Sequence, residues 1–446
     1  MMKRILTLLI ICLLMVPALA QAAGLGSGST GDEVLSLQKR LTELGLSTGS
    51  ADGVYGKQTA SAVKEAQRLL IAAGYEVSLS GKADQDTLAL LYDETAEVAL
   101  RTLRRGSKGN RVRELQYRLI DLKLLSDAAD GAYGSKTEEA VRAFQRYMLK
   151  QGVTGIQEDG VATPALVELL MGDLSAYGFA DPADFDESSP LSLTPDYLYA
   201  KACILVDAPT GKVLFESAAD EPLPPASTTK IMTLLLAIER GDLQETVTIP
   251  ECAKDVAKDS SLVPVSAGEE MRMQDLLYGL IIRSGNDAAN AVAELCAGSV
   301  DAFVERMNER AKELGMTGTH FANPHGYHDA QHYTTARDLA TLTRQGLTDA
   351  DFCQIVTCMS YTMPATAQRG ELVLQNTYEI FDPASPYYIA GAAGVKSGYT
   401  SNAGFCYVGA AQRDGRTLIA VILGDATRDR GWVDLKRLFA YGFAQP

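Results

Sequence analysis

The sequence predicts a multidomain chain: two small helical units in series, then one larger α/β domain. Three observations predict it. A stretch near the N-terminus is duplicated, an acidic and proline-punctuated stretch follows, and strand-like and helix-like patterns alternate from residue 198 to the end. A chain of 446 residues is also too long for one ordinary domain.

The first 23 residues stand apart. Lys3 and Arg4 make a positive start, Ile5 to Val16 is an apolar run, and Ala18-Leu19-Ala20 and Ala20-Gln21-Ala22 are small-residue cleavage sites. This reads as a secretory signal peptide over residues 1–23, because the apolar run is shorter than the ~20 residues a retained membrane helix needs. No later segment is long and apolar enough to span a membrane. Cleavage removes two positive charges and takes the net charge from −15 to −17. So acidic a chain has no electrostatic footprint for nucleic acid and is repelled by anionic lipid. Six cysteines follow the leader: Cys203, Cys252, Cys296, Cys353, Cys358 and Cys406. Cys203 and Cys406 lie in apolar runs, which favours buried free thiols over disulfides. The absence of C-x-x-C spacing argues against a cysteine zinc site.

The duplication has an offset of 78 residues. Gly31, Val34, Leu37, Gln38 and Leu41 match Gly109, Val112, Leu115, Gln116 and Leu119. Asp52-Gly53-Val54-Tyr55-Gly56 matches Asp130-Gly131-Ala132-Tyr133-Gly134, and Thr59, Ala62, Val63 and Gln67 match Thr137, Ala140, Val141 and Gln145. Each copy therefore reads as a helix, an Asp-Gly turn and a second helix. The copies are bounded at residues 24–97 and 98–172. Tyr55 and Tyr133 read equally well as surface aromatics and as core residues.

Residues 173–197 carry Asp173, Asp181, Asp184, Asp186, Glu187 and Asp196 with no Lys or Arg, and read as a solvated, extended linker. Residues 198–446 form the α/β region. Ala202 to Asp207 and Lys212 to Glu216 read as a hairpin around Pro209-Thr210-Gly211. Thr228 to Glu239, Met273 to Arg283, Ala288 to Cys296 and Val300 to Leu314 read as helices. Gly404 to Gln412 and Thr417 to Leu423 alternate about the turn Arg413-Asp414-Gly415-Arg416, and Val433 to Tyr441 reads as a closing helix.

Three short motifs carry the chemistry: Ser227-Thr228-Thr229-Lys230 (S-x-x-K), Ser284-Gly285-Asn286 (S-x-N) and Lys396-Ser397-Gly398. S-x-x-K alone is uninformative, since it also occurs at Ser36–Lys39 and Ser61–Lys64; the ordered triple is informative. Ser227 opens an apolar helix, where free N–H groups stabilise developing negative charge. Lys230, one turn on, shares its face and can act as base once burial and a second cation lower its pKa. Lys396 is the natural second cation. Ser284 and Asn286 supply a hydroxyl and an amide for proton transfer and substrate backbone. Lys396 and Ser397 suit a terminal carboxylate, and Gly398 permits close approach of substrate to backbone.

With PPASTTKIMT, SGNDAANAVAE, LGMTGTHFANPHGYHDAQHYTTARDLATL and GVKSGYTSNAGFCYVGAAQRDGR in the same order, residues 198–446 resemble the serine D-Ala-D-Ala carboxypeptidases, the low-molecular-mass penicillin-binding proteins. The resemblance implies a penicillin-binding, β-lactamase-like transpeptidase fold, an antiparallel sheet flanked by helices. It implies acylation of Ser227 by the penultimate D-Ala carbonyl, release of terminal D-Ala, hydrolysis by water, and inhibition by β-lactams. It places the oxyanion hole at the N–H groups of Ser227 and Tyr399 and a carboxylate-binding arginine near the last helix, for which Arg430 is the candidate. Ser397 stands where the family usually has Thr. Many members carry a C-terminal β-rich domain and an amphipathic anchor, neither of which is expected in a chain that stops at Pro446. The repeats, through G-x-x-V-x-x-L-Q and D-G-x-Y-G-x-x-T, resemble the small three-helix peptidoglycan-binding module of cell-wall hydrolases.

The four histidines, His320, His325, His328 and His332, cluster in sequence. His328 and His332 have metal-binding spacing only on a helix, and Asn323-Pro324 and Gly326 argue for a loop, so neither metal nor cofactor is expected. The reading that results is an exported, wall- or periplasm-facing D,D-carboxypeptidase held on peptidoglycan by two modules. D,D-endopeptidase activity uses the same residues. A serine β-lactamase of the kind needing E-x-x-L-N is disfavoured, since Glu371 to Asn376 misses that pattern by one residue. A catalytically silent wall-binding protein is the alternative of a different class.

Overall fold

The computed structural model describes residues 24–46 and 49–446, so the leader reading lies outside the described residues. Two units emerge: one of residues up to 119 together with 129–173, the other of residues 120–128 together with 174–446.

In the first unit, α1 (Asp32–Glu43), α2 (Lys57–Ala72), α3 (Gln85–Leu91) and α4 (Glu94–Arg101) are followed by α5 (Asn110–Asp121), whose last two residues fall in the second unit, and then by α6 (Ser135–Lys150) and α7 (Pro164–Met171). Local chemistry sets the ends. Asp84 caps α3 by accepting from Thr87 N–H, and Thr163 caps α7 ahead of Pro164. Val34, Leu37, Leu41, Val63 and Leu70 are buried in one copy, and Val112, Leu115, Leu119, Val141 and Phe144 in the other. Tyr55 and Tyr133 belong to the core. Both are buried, and their hydroxyls donate to the carbonyls of Gly81 and Gly160 at 2.9 Å.

A buried glutamine clasps each turn. The Gln38 amide donates to Asp52 Oδ1, Val54 O and Thr59 Oγ1 and accepts from Gly53 N–H. Gln116 does the same with Asp130, Ala132, Thr137 and Gly131. Gln67 and Gln145 accept from Gly81 and Gly160 in the same manner. All four glycines have φ between 71° and 74°, the left-handed region that admits glycine without strain.

The second unit is built on strands β1 (Ala202–Asp207), β2 (Val213–Ser217), β3 (Thr246–Thr248), β4 (Glu270–Arg272), β5 (Ser360–Met363), β6 (Leu372–Gln375), β7 (Ala392–Thr400), β8 (Gly404–Arg413) and β9 (Arg416–Asp425). Its helices are α8 (Lys230–Arg240), α9 (Met273–Tyr278), α10 (Asn286–Ala297), α11 (Val300–Glu313), α12 (Ala336–Gly346), α13 (Ala350–Val356) and α14 (Arg428–Ala444). The main sheet is antiparallel with order β2-β1-β9-β8-β7, which leaves β7 at an edge. Period-two alternation divides it between two cores. Ile204, Val408, Ala410, Ile419 and Val421 face α8, α10 and α12. Leu205, Tyr407, Leu418, Ala420 and Ile422 face Trp432, Leu435, Leu438 and Phe439 of α14.

Three expectations are corrected. The apolar helix begins at Lys230, because Ala226–Thr229 form a 3-10 turn. The helix expected over 273–283 ends at Tyr278 and continues as a π-helical turn, Gly279–Arg283. The acidic stretch is not an extended linker. It folds into short 3-10 turns, and Phe185 and Leu193 bury themselves in the α14 core. The six cysteines are all free thiols.

Candidate active site

Ser227 lies on the 3-10 turn before α8, and two glycines fix where that turn sits. A Cβ on Gly398 of β7 would stand 2.5 Å from Ser227 N, and one on Gly326 would stand 1.8 Å from Ala226 O. Only glycine allows β7 and the 326 loop to close on the turn from both sides. His332 supports it from beneath. Its Nδ1 accepts from Ala322 N–H (3.0 Å), which leaves the proton on Nε2 to donate to Thr229 Oγ1 (2.8 Å). Burial holds His332 down to about 4 and His325 to about 3, so both rings are neutral. Neither forms a metal cluster among the described residues.

Lys230 is fully buried. Its Nζ lies 3.0 Å from Ser227 Oγ, 2.7 Å from Asn286 Oδ1 and 2.7 Å from His325 O. Burial first, and then the positive charge of Lys396, hold its pKa well below the ordinary lysine value. In the neutral form, which has two N–H donors and one lone pair, Asn286 Oδ1 and His325 O take the two donors and the lone pair is left for the Ser227 hydroxyl. The amide orientation of Asn286 is fixed by its Nδ2, which donates to Ser260 Oγ at 3.0 Å.

Lys396 is 2% exposed, its Nζ donates to Ser397 O (2.8 Å), and burial lowers its pKa to about 7. Ser397 N–H donates to the Tyr378 hydroxyl instead of to β8. Alternation along an antiparallel strand then turns the N–H of Tyr399 to the same free edge. Ser227 N–H and Tyr399 N–H are thus available at one cleft, where they can share a developing oxyanion. That cleft, about 390 Å³, is lined by Ser227, Ser260, Ser261, Asn286, Tyr327 and Tyr399 among others.

The structure brings Ser227, Lys230 and Asn286 within hydrogen-bonding reach and sets Lys396, Ser397, Gly398 and Tyr399 on the strand beside them. Ser284 occupies the left-handed turn (φ 57°) before α10 and so sets the direction in which Asn286 enters.

Two family matches accord with this geometry. The D-alanyl-D-alanine carboxypeptidase family matches residues 189–427, and a peptidoglycan binding domain family matches residues 30–91 and 108–170. The chain belongs to the D-alanyl-D-alanine carboxypeptidase family. A D-alanyl-D-alanine carboxypeptidase of Bacillus subtilis is 34% identical over 55% of this chain and 62% of its own length. One from Streptomyces is 33% identical over 53% of this chain and 84% of its own. Among solved structures, a Streptomyces DD-transpeptidase superposes with TM-score 0.52 at 31% identity, covering 56% of this chain and 100% of that one. A Mycobacterium tuberculosis D-alanyl-D-alanine carboxypeptidase superposes with TM-score 0.51 at 33% identity, covering 55% and 92%. The chain spans less than two thirds of the Bacillus relative.

Within this family frame, Arg430 is not at the cleft. Its guanidinium pairs with Asp121 at 2.6 Å and lies 4.8 Å from the Tyr199 ring centroid. α14 starts at Arg428, five residues before the predicted start, so Arg430 lies in its first turn, where Thr427 Oγ1 accepts from its N–H. Sequence reasoning also missed Ser260, the His325 carbonyl, Asp259 and Tyr327. They come from irregular loops that no periodicity marks.

Proposed function

We propose that the chain is an exported serine D-Ala-D-Ala carboxypeptidase that removes the terminal D-Ala from peptidoglycan stem peptides and is held on the wall by its two N-terminal modules. The observation that carries this is the buried Lys230 amine, 3.0 Å from Ser227 Oγ, whose pKa burial and Lys396 push well below that of an ordinary lysine. Lys230 takes the hydroxyl proton as Ser227 attacks the penultimate D-Ala carbonyl. Ser227 N–H and Tyr399 N–H hold the oxyanion. The proton returns to the leaving D-Ala amine, with Ser284 and Asn286 along its route. Lys396 and Ser397 receive the terminal carboxylate. Water, activated by the same amine, hydrolyses the acyl-enzyme, and β-lactams stop at the acylated stage.

The test pairs intact-mass analysis after penicillin treatment with product analysis on a D-Ala-D-Ala peptide. The expected result is one penicilloyl adduct, lost in Ser227→Ala, and released D-Ala. An adduct that persists in Ser227→Ala would remove the assignment. Release of a cross-bridged peptide in place of D-Ala would favour the D,D-endopeptidase alternative.

A further inference from the structure

Asp259 is the one carboxylate among the residues lining the cleft. Its position is tied to the catalytic groups. The next residue, Ser260, accepts from Asn286 Nδ2 at 3.0 Å, and Ser261 O accepts from Asn286 N–H at 2.8 Å. Across the opening, Tyr327 lies two residues beyond His325, whose carbonyl binds Lys230, and the Tyr327 hydroxyl donates to Asp259 Oδ1 at 3.1 Å. No ion pair neutralises Asp259 among the described residues, and one carboxylate oxygen is left facing solvent. The cleft therefore carries one carboxylate at its rim, with Lys230 and Lys396 buried beneath the turn and strand beside it.

We propose that Asp259 selects the stem residue preceding the D-Ala pair, favouring a side chain that ends in a free ammonium. This rests on the carboxypeptidase reading above. On this proposal, with the terminal carboxylate at Lys396 and the scissile carbonyl at Ser227, the preceding residue leaves the cleft past the 259–261 loop, all three of whose residues line it. A diamino acid places its ammonium on a four-carbon stem, roughly 6 Å from its own Cα, long enough to reach a rim carboxylate. An amine converted to an amide carries no charge, so the same contact would discount stems already cross-linked through that side chain.

The experiment compares kcat/KM on two soluble pentapeptides that differ only at the third residue, lysine in one and Nε-acetyl-lysine in the other. Wild-type enzyme is expected to prefer the free lysine about fivefold, the scale of a partly screened ion pair, with the preference shrinking as salt rises. Asp259→Asn keeps the acceptor for Tyr327 but removes the charge, and should bring the ratio close to one. Tyr327→Phe removes the loop tie but leaves the charge, and should retain the preference. A wild-type ratio near one, or a preference that survives Asp259→Asn, overturns this inference while leaving the carboxypeptidase reading intact. Hydrolysis of neither peptide by wild-type enzyme overturns both.

Discussion

Replacing Gly398 by alanine should disable acylation without removing any functional group. The added Cβ would sit 2.5 Å from Ser227 N and 3.0 Å from both Ala226 Cβ and Thr228 N, against about 3.4 Å for an ordinary contact. β7 and the nucleophile turn must therefore part by about 0.9 Å. Neither side yields easily. Gly398 is registered opposite Cys406 in the ladder with β8, and the turn is held from behind by the close approach of Gly326 to Ala226. A displacement of ~1 Å between catalytic groups costs on the order of 10²-fold in rate, about 2.7 kcal/mol of barrier. Overpacking should cost a further ~1–3 kcal/mol of stability. Second-order acylation rates with a fluorescent penicillin, measured beside a thermal melt, separate the two effects. Acylation by Gly398→Ala within threefold of wild type would refute the argument that this glycine sets the spacing of nucleophile and strand.

Lys230→Arg keeps a cation at the site but cannot supply a lone pair, and acylation should fall by about 10²–10⁴-fold; a mild loss would show that Lys230 acts only as a charge. The pH profile tests the same point. Burial and Lys396 push the Lys230 pKa down, so the neutral amine dominates above that lowered value and is lost as pH falls through it. The rise of acylation rate with pH should level off well below pH 10.5, whereas a rate still gaining tenfold per pH unit up to pH 9 would show a base with the ordinary lysine pKa. In the second module, Gln116→Ala strips partners from Asp130, Thr137 and the buried Gly131 N–H, and should cost ~1–3 kcal/mol in thermal or denaturant unfolding of that module. A change below ~0.5 kcal/mol would place the clasp among surface contacts.

What could be read from sequence was what lies contiguous in it. Ser227 and Lys230 are one helical turn apart, and Lys396 to Gly398 form a single strand segment, so their juxtaposition is local. The main strands were equally legible, β1 over Ala202–Asp207 without adjustment, because apolar runs with bounding turns dictate them. Ser260 and Tyr327 were hidden because they reach Asn286 and Asp259 only through loop tertiary contacts. Arg430 was misplaced because a helix start is set by its cap. Thr427 accepts from Arg430 N–H, and no apolar residue before Gly431 announces that turn. The acidic stretch misled because composition averages away single anchors such as Phe185 and Leu193.

The four glutamine clasps also determine how the chain acquires its structure. Each closes a loop of 14 or 15 residues, so each can form as soon as its own short segment is free. The central sheet has no such independence. β1 has β2 beside it early, but its other partner is β9, joining Ala202 to Leu423, so the sheet cannot close around β1 until almost the whole polypeptide has emerged. A chain emerging amino end first would have closed its two repeats while β1 and β2 were still a two-stranded ribbon awaiting β9.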